Sequence, residues 1–191
     1  MSNNETVKIA ISGGMGKMGL LLSDFIENKD GYDISGIYDP EKESNTYHNY
    51  KSIDEINADI LVEFSPANSI NENLAVLAKK KINLVVGSSG INERSLEILK
   101  SNIDDDQFIC IIPNFSIGAS FQKIFSGFLN NNFPEVSIEE RHHSNKKDSP
   151  SGTAVDMAQS LEHEERTSTE IQESSDYEEN IINEINIKSL R

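Results

Sequence analysis

Four groups of residues in this 191-residue chain have types and spacings that could do chemistry. The densest is "RHHSNKKDSPSGTA", Arg141 to Ala154, which gathers Arg141, His142, His143, Lys146 and Lys147 into seven positions of a chain whose formal net charge is -15. Such a charge repels an anionic ligand unless cations converge locally, and this is the chain's largest cation cluster. "DSPSGT" follows at once and reads as a helix start, with Asp148 or Ser149 as cap, Pro150 in the first turn and the N–H of Gly152 accessible. A helix N-terminus beside Lys146 suits a carboxylate, and a histidine at the end of a strand can pass a proton near neutral pH.

The second group is "VKIAISGGMGKMG", which sets Gly13, Gly14, Gly16 and Gly19 between a strand and a helix. Glycines there permit a tight turn and let backbone N–H groups approach a pyrophosphate. Asp39 ends the next strand, where an acid holds adenosine ribose hydroxyls. The third and fourth groups, "GSSG" (87–90) and "PNFS" (113–116), follow later strands and, with "FSPANS" (64–69), belong to the same crevice. A dinucleotide is the expected cofactor. NADPH would need a cation at its 2′-phosphate, yet Pro40 follows Asp39 and only Lys17 and Lys42 are near, so the sequence leans towards NADH over NADPH. No metal site is expected.

Elements must position these groups. "VKIAIS" (7–12), "YDISGIYD" (32–39), "DILVEFS" (59–65), "INLVVGSS" (82–89) and "QFICIIPNF" (107–115) read as strands covered on both faces. Amphipathic segments alternate with them, one carrying Met18, Leu21, Leu22 and Phe25 at helical spacing, another being "NERSLEILKSN" (92–102). The polar 42–52 reads as a loop. Strand–helix alternation predicts an α/β fold, a Rossmann-like parallel sheet over 1–115. A smaller α+β unit follows over 116–191: a helix at 116–132, a strand at 136–143 with Val136, Ile138, Glu140 and His142 on one face, and a helix at 151–161 with Ala154, Met157, Ala158 and Leu161 inward. From Glu162 on, nine acids face three bases, and only "NIINEINIKS" is strand-like, so the tail is either a mobile excursion or part of an unfinished sheet.

The acidic balance excludes nucleic acid and anionic membrane as main partners, and no apolar run is long enough to span a bilayer. The N-terminus offers no secretory signal. A lone cysteine, Cys110 in the apolar "FICII", reads as a buried packing residue and fits a reduced, cytoplasmic setting.

"GGMGKMG", "EFSP" (63–66), "VVGSSG", "PNFSIG" and above all "EERHHSNKKDSPSGTA" resemble the 4-hydroxy-tetrahydrodipicolinate reductase (dihydrodipicolinate reductase) family, whose signature runs E-x-H-H-x-x-K-x-D-x-P-S-G-T. The resemblance spans about 7–160. It implies an NAD(P)H-dependent enzyme of the diaminopimelate route to lysine, acting on a small cyclic dicarboxylate. Carried over by position, Gly13, Gly14, Met15, Gly16, Lys17 and Met18 would hold the pyrophosphate and Asp39 the ribose. Gly87, Ser88, Ser89, Pro113, Asn114, Phe115 and Ser116 would line the nicotinamide side. His142 would donate the proton, with Lys146 as second acid and substrate holder, and His143, Gly152 and Thr153 would bind the substrate's carboxylates. Serines stand in "GSSG" where the family commonly has threonines. Family members also continue past the position of Arg191, with strands that complete the second sheet and a homotetramer interface. The resemblance therefore implies a shortened second domain with open edges. Two other readings compete: a different nicotinamide-dependent imine or amino-acid dehydrogenase, and a non-catalytic dinucleotide-binding fragment.

Overall fold

The computed structural model describes residues 6–133, 135–142, 149–161, 177–182 and 185–190. The chain forms two compact units, one ending at Ile112 and the other beginning at Pro113.

In the first unit, β1 (Val7–Ser12), β2 (Tyr32–Tyr38), β3 (Asn49–Tyr50), β4 (Ile60–Glu63), β5 (Asn83–Val86) and β6 (Ile109–Ile111) form one sheet in the order β3-β2-β1-β4-β5-β6. Every pairing in it is parallel. Helices α1 (Lys17–Glu27), α2 (Ile70–Leu77) and α3 (Glu93–Asn102) supply crossovers. Because strand side chains alternate, each strand feeds two cores. Ile9 and Ile11 of β1 pack with Ile26, Ile37 and Val62. Ala10, between them, joins Leu61, Leu74, Leu77, Leu84 and Val86 on the other face. Apolar runs rather than alternating ones are what such a doubly covered sheet requires.

Three expectations need correction here. The inward stripe of α1 is Gly19, Ser23 and Ile26, with Leu22 half-buried, whereas Met18, Leu21 and Phe25 are exposed. Small residues turn that face inward because the helix must close on the glycine loop: a Cβ on Gly19 would lie 2.4 Å from the Gly14 carbonyl oxygen. Cys110 is exposed rather than buried, because β6 pairs only with β5 and lies at the sheet's edge. The polar 42–52 segment also contains β3, whose two residues pair with Ile37 and Tyr38. A two-residue strand is specified by backbone pairing and leaves no periodicity in sequence. All five anticipated strands form: the first has the expected bounds Val7–Ser12, the others are shorter, and the 107–115 run keeps only Ile109–Ile111.

In the second unit, α4 (Ile117–Leu129), β7 (Ser137–Arg141), α5 (Gly152–Ser160), β8 (Tyr177–Ile182) and β9 (Ile185–Leu190) follow in order. The sheet runs β7-β9-β8, with β7–β9 parallel and β8–β9 antiparallel, so the strand-like tail is sheet. Ala154, Met157, Ala158 and Leu161 pack on Ile185, Ile187 and Ile138, the stripe that spacing anticipates. Helix α4 buries none of its residues, and Ile117, Phe121, Ile124, Phe125 and Phe128 line one exposed face. Its tie to α5 is an ion pair, Lys123 Nζ to Asp156 Oδ2 at 2.6 Å.

Gly19→Ala tests the close packing of α1. Helix propensity favours alanine by about 1 kcal/mol, while overpacking costs about 1–3 kcal/mol. The atoms in the way are backbone, so the cost wins, and the urea midpoint should fall. An unchanged or higher midpoint would show that the loop can retreat from the helix.

Candidate functional site

The strand order reverses between β1 and β4, and loops leaving their carboxyl ends diverge there. A cleft of about 450 Å³ lies at this point, lined by Gly13, Met15 and Gly16 after β1, Tyr38 to Lys42 after β2, and Phe64, Ser65, Pro66, Asn68 and Asn73 around the start of α2. Gly13 has φ +68°, and a Cβ on it would stand 2.7 Å from the Phe64 carbonyl oxygen. Only glycine fits, and its bareness lets the loop lie against β4.

Asp39 sits in the cleft as a hub. Its Oδ2 accepts the Met15 N–H at 3.1 Å, and Oδ1 accepts those of Glu41 at 3.0 Å and Lys42 at 3.2 Å. The N–H groups of Gly13 and Gly14 both donate to the Tyr38 carbonyl. The glycine loop thus spends much of its own donor capacity internally. The first turn of α1 at Lys17 and Met18, which is exposed and lacks intrahelical acceptors for its N–H groups, remains as a donor face for an anion.

Beneath the loops lies a polar network that sequence reasoning missed. Glu63, fully buried at the end of β4, accepts the Ser65 N–H at 2.6 Å and the Asn73 Nδ2 at 3.3 Å. Asn73 also donates to Ser65 Oγ, which bonds Ser12 Oγ at 3.0 Å. A charged residue inside "ILVEFS" was the available signal. Gly87 N–H and Ser88 Oγ both donate to the Glu63 carbonyl, placing that loop beside the end of β4. Gly87, Ser88 and Ser89 do not line the cleft, nor do Gly14, Lys17 and Met18.

In the second unit, Asn114 Oδ1 accepts the Ser116 N–H, and Ser116 Oγ caps α4 by accepting from Ala119. Pro113 and Phe115 are exposed. A shallow cleft of about 210 Å³ is lined by Ile138, Glu140, His142, Ser151, Thr153 and Met157 among others. Ile138 and Glu140 face inward as alternation requires, and Glu140 Oε2 lies 3.0 Å from His142 Nε2. Glu140 Oε1 accepts the Ser151 N–H at 2.9 Å and the Ser189 hydroxyl at 2.7 Å. Burial by itself would push the Glu140 carboxyl up. The hydrogen bonds from Ser151, Ser189 and His142 outweigh it and hold the pKa at about 2.

The helix cap differs from expectation. Ser151 caps α5, its Oγ accepting the Ala154 N–H at 3.2 Å, and Pro150 precedes the helix instead of opening its first turn. Glu140 draws in the Ser151 N–H, which sets the start of α5 at Gly152. Arg141 is paired with Glu139 at 2.8 Å, so part of the anticipated cation cluster is neutralised internally. His143, Lys146, Lys147 and Asp148 lie outside the described residues. Among the described residues, no group of three or more His, Cys, Asp or Glu side chains could hold a metal ion, and no helix is long and apolar enough to cross a membrane.

Residues 7–115 match the model for the dihydrodipicolinate reductase N-terminus and 116–191 that for its C-terminus. The 4-hydroxy-tetrahydrodipicolinate reductase of Streptococcus uberis is 30% identical over 171 residues, covering 86% of this chain and 67% of that protein. That of Dictyoglomus turgidum is 27% identical, covering 97% and 77%. The chain spans as little as 58% of the length of another such relative, from Cutibacterium acnes. A dipicolinate-bound dihydrodipicolinate reductase from Paenisporosarcina sp. TG-14 shares the fold, with a TM-score of 0.66 over 97% of this chain and 78% of that one, at 23% identity. With both halves matched, the chain belongs to the dihydrodipicolinate reductase family, NAD(P)H-dependent oxidoreductases of lysine biosynthesis.

Proposed function

We propose that this chain reduces 4-hydroxy-tetrahydrodipicolinate to tetrahydrodipicolinate, with NADH favoured over NADPH, in the cytoplasm. The observation that carries the reading is in the second unit. His142 pairs with Glu140, and Glu140 accepts the Ser151 N–H at the start of α5, which supports a proton carrier next to a helix end suited to an anion.

The 4-hydroxyl leaves as water with a proton from the neighbouring carbon, giving a double bond across which a hydride and a proton are then added. A bound nicotinamide supplies the hydride. The first unit's part is to hold the dinucleotide: Gly13 and Gly16 line the cleft, and the N–H groups at Lys17 and Met18 suit the pyrophosphate. The Asp39 carboxylate suits the adenosine ribose. Lys42 lines the same cleft and is the cation available to a 2′-phosphate, which tempers the preference for NADH.

The second unit's part is the substrate. Gly152 opens α5, and Thr153 lines the cleft with His142. Carboxylate binding falls to these two with His143 and Lys146. His142 delivers the proton to the carbon beside the one that receives the hydride. The reading assigns Gly87 to Ser89, and separately Pro113 to Ser116, to the nicotinamide. In the same reading a chain carrying the further C-terminal strands of the family would form a homotetramer.

Asp39→Ala should weaken NADH more than NADPH, because an acceptor for ribose hydroxyls is lost while repulsion of a 2′-phosphate is relieved. Charge-assisted hydrogen bonds of this kind are worth about 1.5–3 kcal/mol, so the NADH Kd should rise roughly tenfold or more in a fluorescence titration. Equal losses for the two cofactors would remove Asp39 from the ribose.

His142→Gln should lower kcat by about 10²–10⁴-fold with the substrate KM and the NADH Kd near the parent values. The assay follows NADH absorbance, with substrate made in situ by the condensing enzyme that precedes it. Turnover at the parent rate would rule out His142 as the proton donor and with it this reading of the cleft.

A further inference from the structure

Glu140 has so far entered only as a neighbour of His142, yet it makes three contacts that no other described side chain of the second unit combines. Its side chain is 10% exposed. One carboxylate oxygen joins the start of α5, through the Ser151 N–H, to β9, through the Ser189 hydroxyl; the other is left for the histidine ring. We propose that Glu140 is the positioning residue of this site, holding His142 with Nε2–H directed at the carboxylate and leaving Nδ1 as the nitrogen that meets a ligand.

The chemistry of the partners fixes the direction of each bond. An ionised carboxylate only accepts, so Nε2 must carry the hydrogen. Among the described residues, no hydrogen bond is made to Nδ1. The other charges around the pair are engaged elsewhere or stand on alternate strand positions. Glu139 and Arg141 of β7 pair with each other, and Asp156 of α5 pairs with Lys123 of α4. Lys188 of β9 lies opposite Glu139 in the strand register. Holding a histidine by a carboxylate so that a defined nitrogen faces the reacting group is a known way of fixing both tautomer and ring orientation.

Glu140→Gln separates this role from a purely structural one. The Ser151 N–H can only donate, so the glutamine must turn its carbonyl oxygen to Ser151 and Ser189. Its amide NH₂ then faces His142. The two structural bonds survive, and a single acceptor becomes a donor. His142 Nε2 must now accept, which moves the hydrogen of the neutral ring to Nδ1.

The readout is the long-range ¹H–¹⁵N spectrum of the ¹⁵N-labelled chain, with the His142 signals assigned by their loss in His142→Gln. The parent should show neutral His142 protonated at Nε2, and Glu140→Gln should show it protonated at Nδ1. A parent ring protonated at Nδ1, or a tautomer unmoved in the variant, overturns the proposal. The parent spectrum decides the matter by itself if the variant does not fold. Turnover is a separate measurement, because it rests on the proton-donor role proposed above. With that role, Glu140→Gln loses about 10²–10⁴-fold in kcat at little cost in NADH affinity. A tautomer that moves while turnover stays at the parent level supports Glu140 as positioning residue and removes His142 as proton donor.

Discussion

The parallel pairing of β1 with β4 is the constraint from which the first unit's cleft follows. β1 pairs with β2 on one side and β4 on the other, so chain order reverses across it. The loops that leave β1 and β4 therefore part, and a gap must open above the sheet. Closing strands this tightly costs side chains. At Gly13 even a methyl group is excluded by β4, and at Gly19 by the loop itself. The polar residues beneath obey the same geometry. Glu63 is fully buried yet hydrogen-bonded at both carboxylate oxygens, and Ser12 and Ser65 join the ends of the two strands. A buried carboxylate is tolerable only when partnered in this way.

The second unit solves a similar problem with Glu140. Its sheet is small and mixed, and its helix α5 must start at a defined point for the cleft to exist. One carboxylate pins the helix start, the neighbouring strand and the histidine. Its pKa, held at about 2, lies below the ordinary carboxylate value, so its bonds stabilise the fold above that ordinary value and are lost only as pH falls through 2. Across neutral pH the carboxylate stays ionised and acts as a fixed acceptor.

How far this could be seen in sequence depended on what kind of force set each feature. The stripe Ala154, Met157, Ala158, Leu161 was legible because burial there follows hydrophobicity. The stripe on α1 was not, because steric closeness chose Gly19 and Ser23 over Met18, Leu21 and Phe25. The glycine loop and Asp39 were legible as types in order. Their hydrogen bonding was not: that the Met15 N–H is held by Asp39 depends on a loop conformation that no periodicity encodes. Glu140 was placed on the right face by strand alternation, but its partners Ser151 and Ser189 lie 11 and 49 residues away in sequence. Ser149 was a plausible helix cap for the same reason that Ser151 is the actual one, and only the distant carboxylate distinguishes them.

The acidity of the chain constrains how an anionic dinucleotide is met. A net charge of -15 is spread over the whole molecule, and at physiological salt its influence fades over about 8 Å. Binding therefore turns on what lies within that distance. In the first unit's cleft the lining includes Asp39, Glu41 and Glu72 against Lys42, so side-chain charge there is unfavourable to a pyrophosphate. Backbone dipoles are the remaining source of attraction, and they are directional where side-chain charges are not. The loop's own N–H groups are held by Tyr38, Gly13 and Asp39, so the donor face is the first turn of α1, while Asp39 bonds the Met15, Glu41 and Lys42 N–H groups. Each of those bonds offsets part of its negative charge at short range while leaving the carboxylate lone pairs to accept further hydroxyl donors. Repulsion of a nearby anion by Asp39 is thereby reduced at short range.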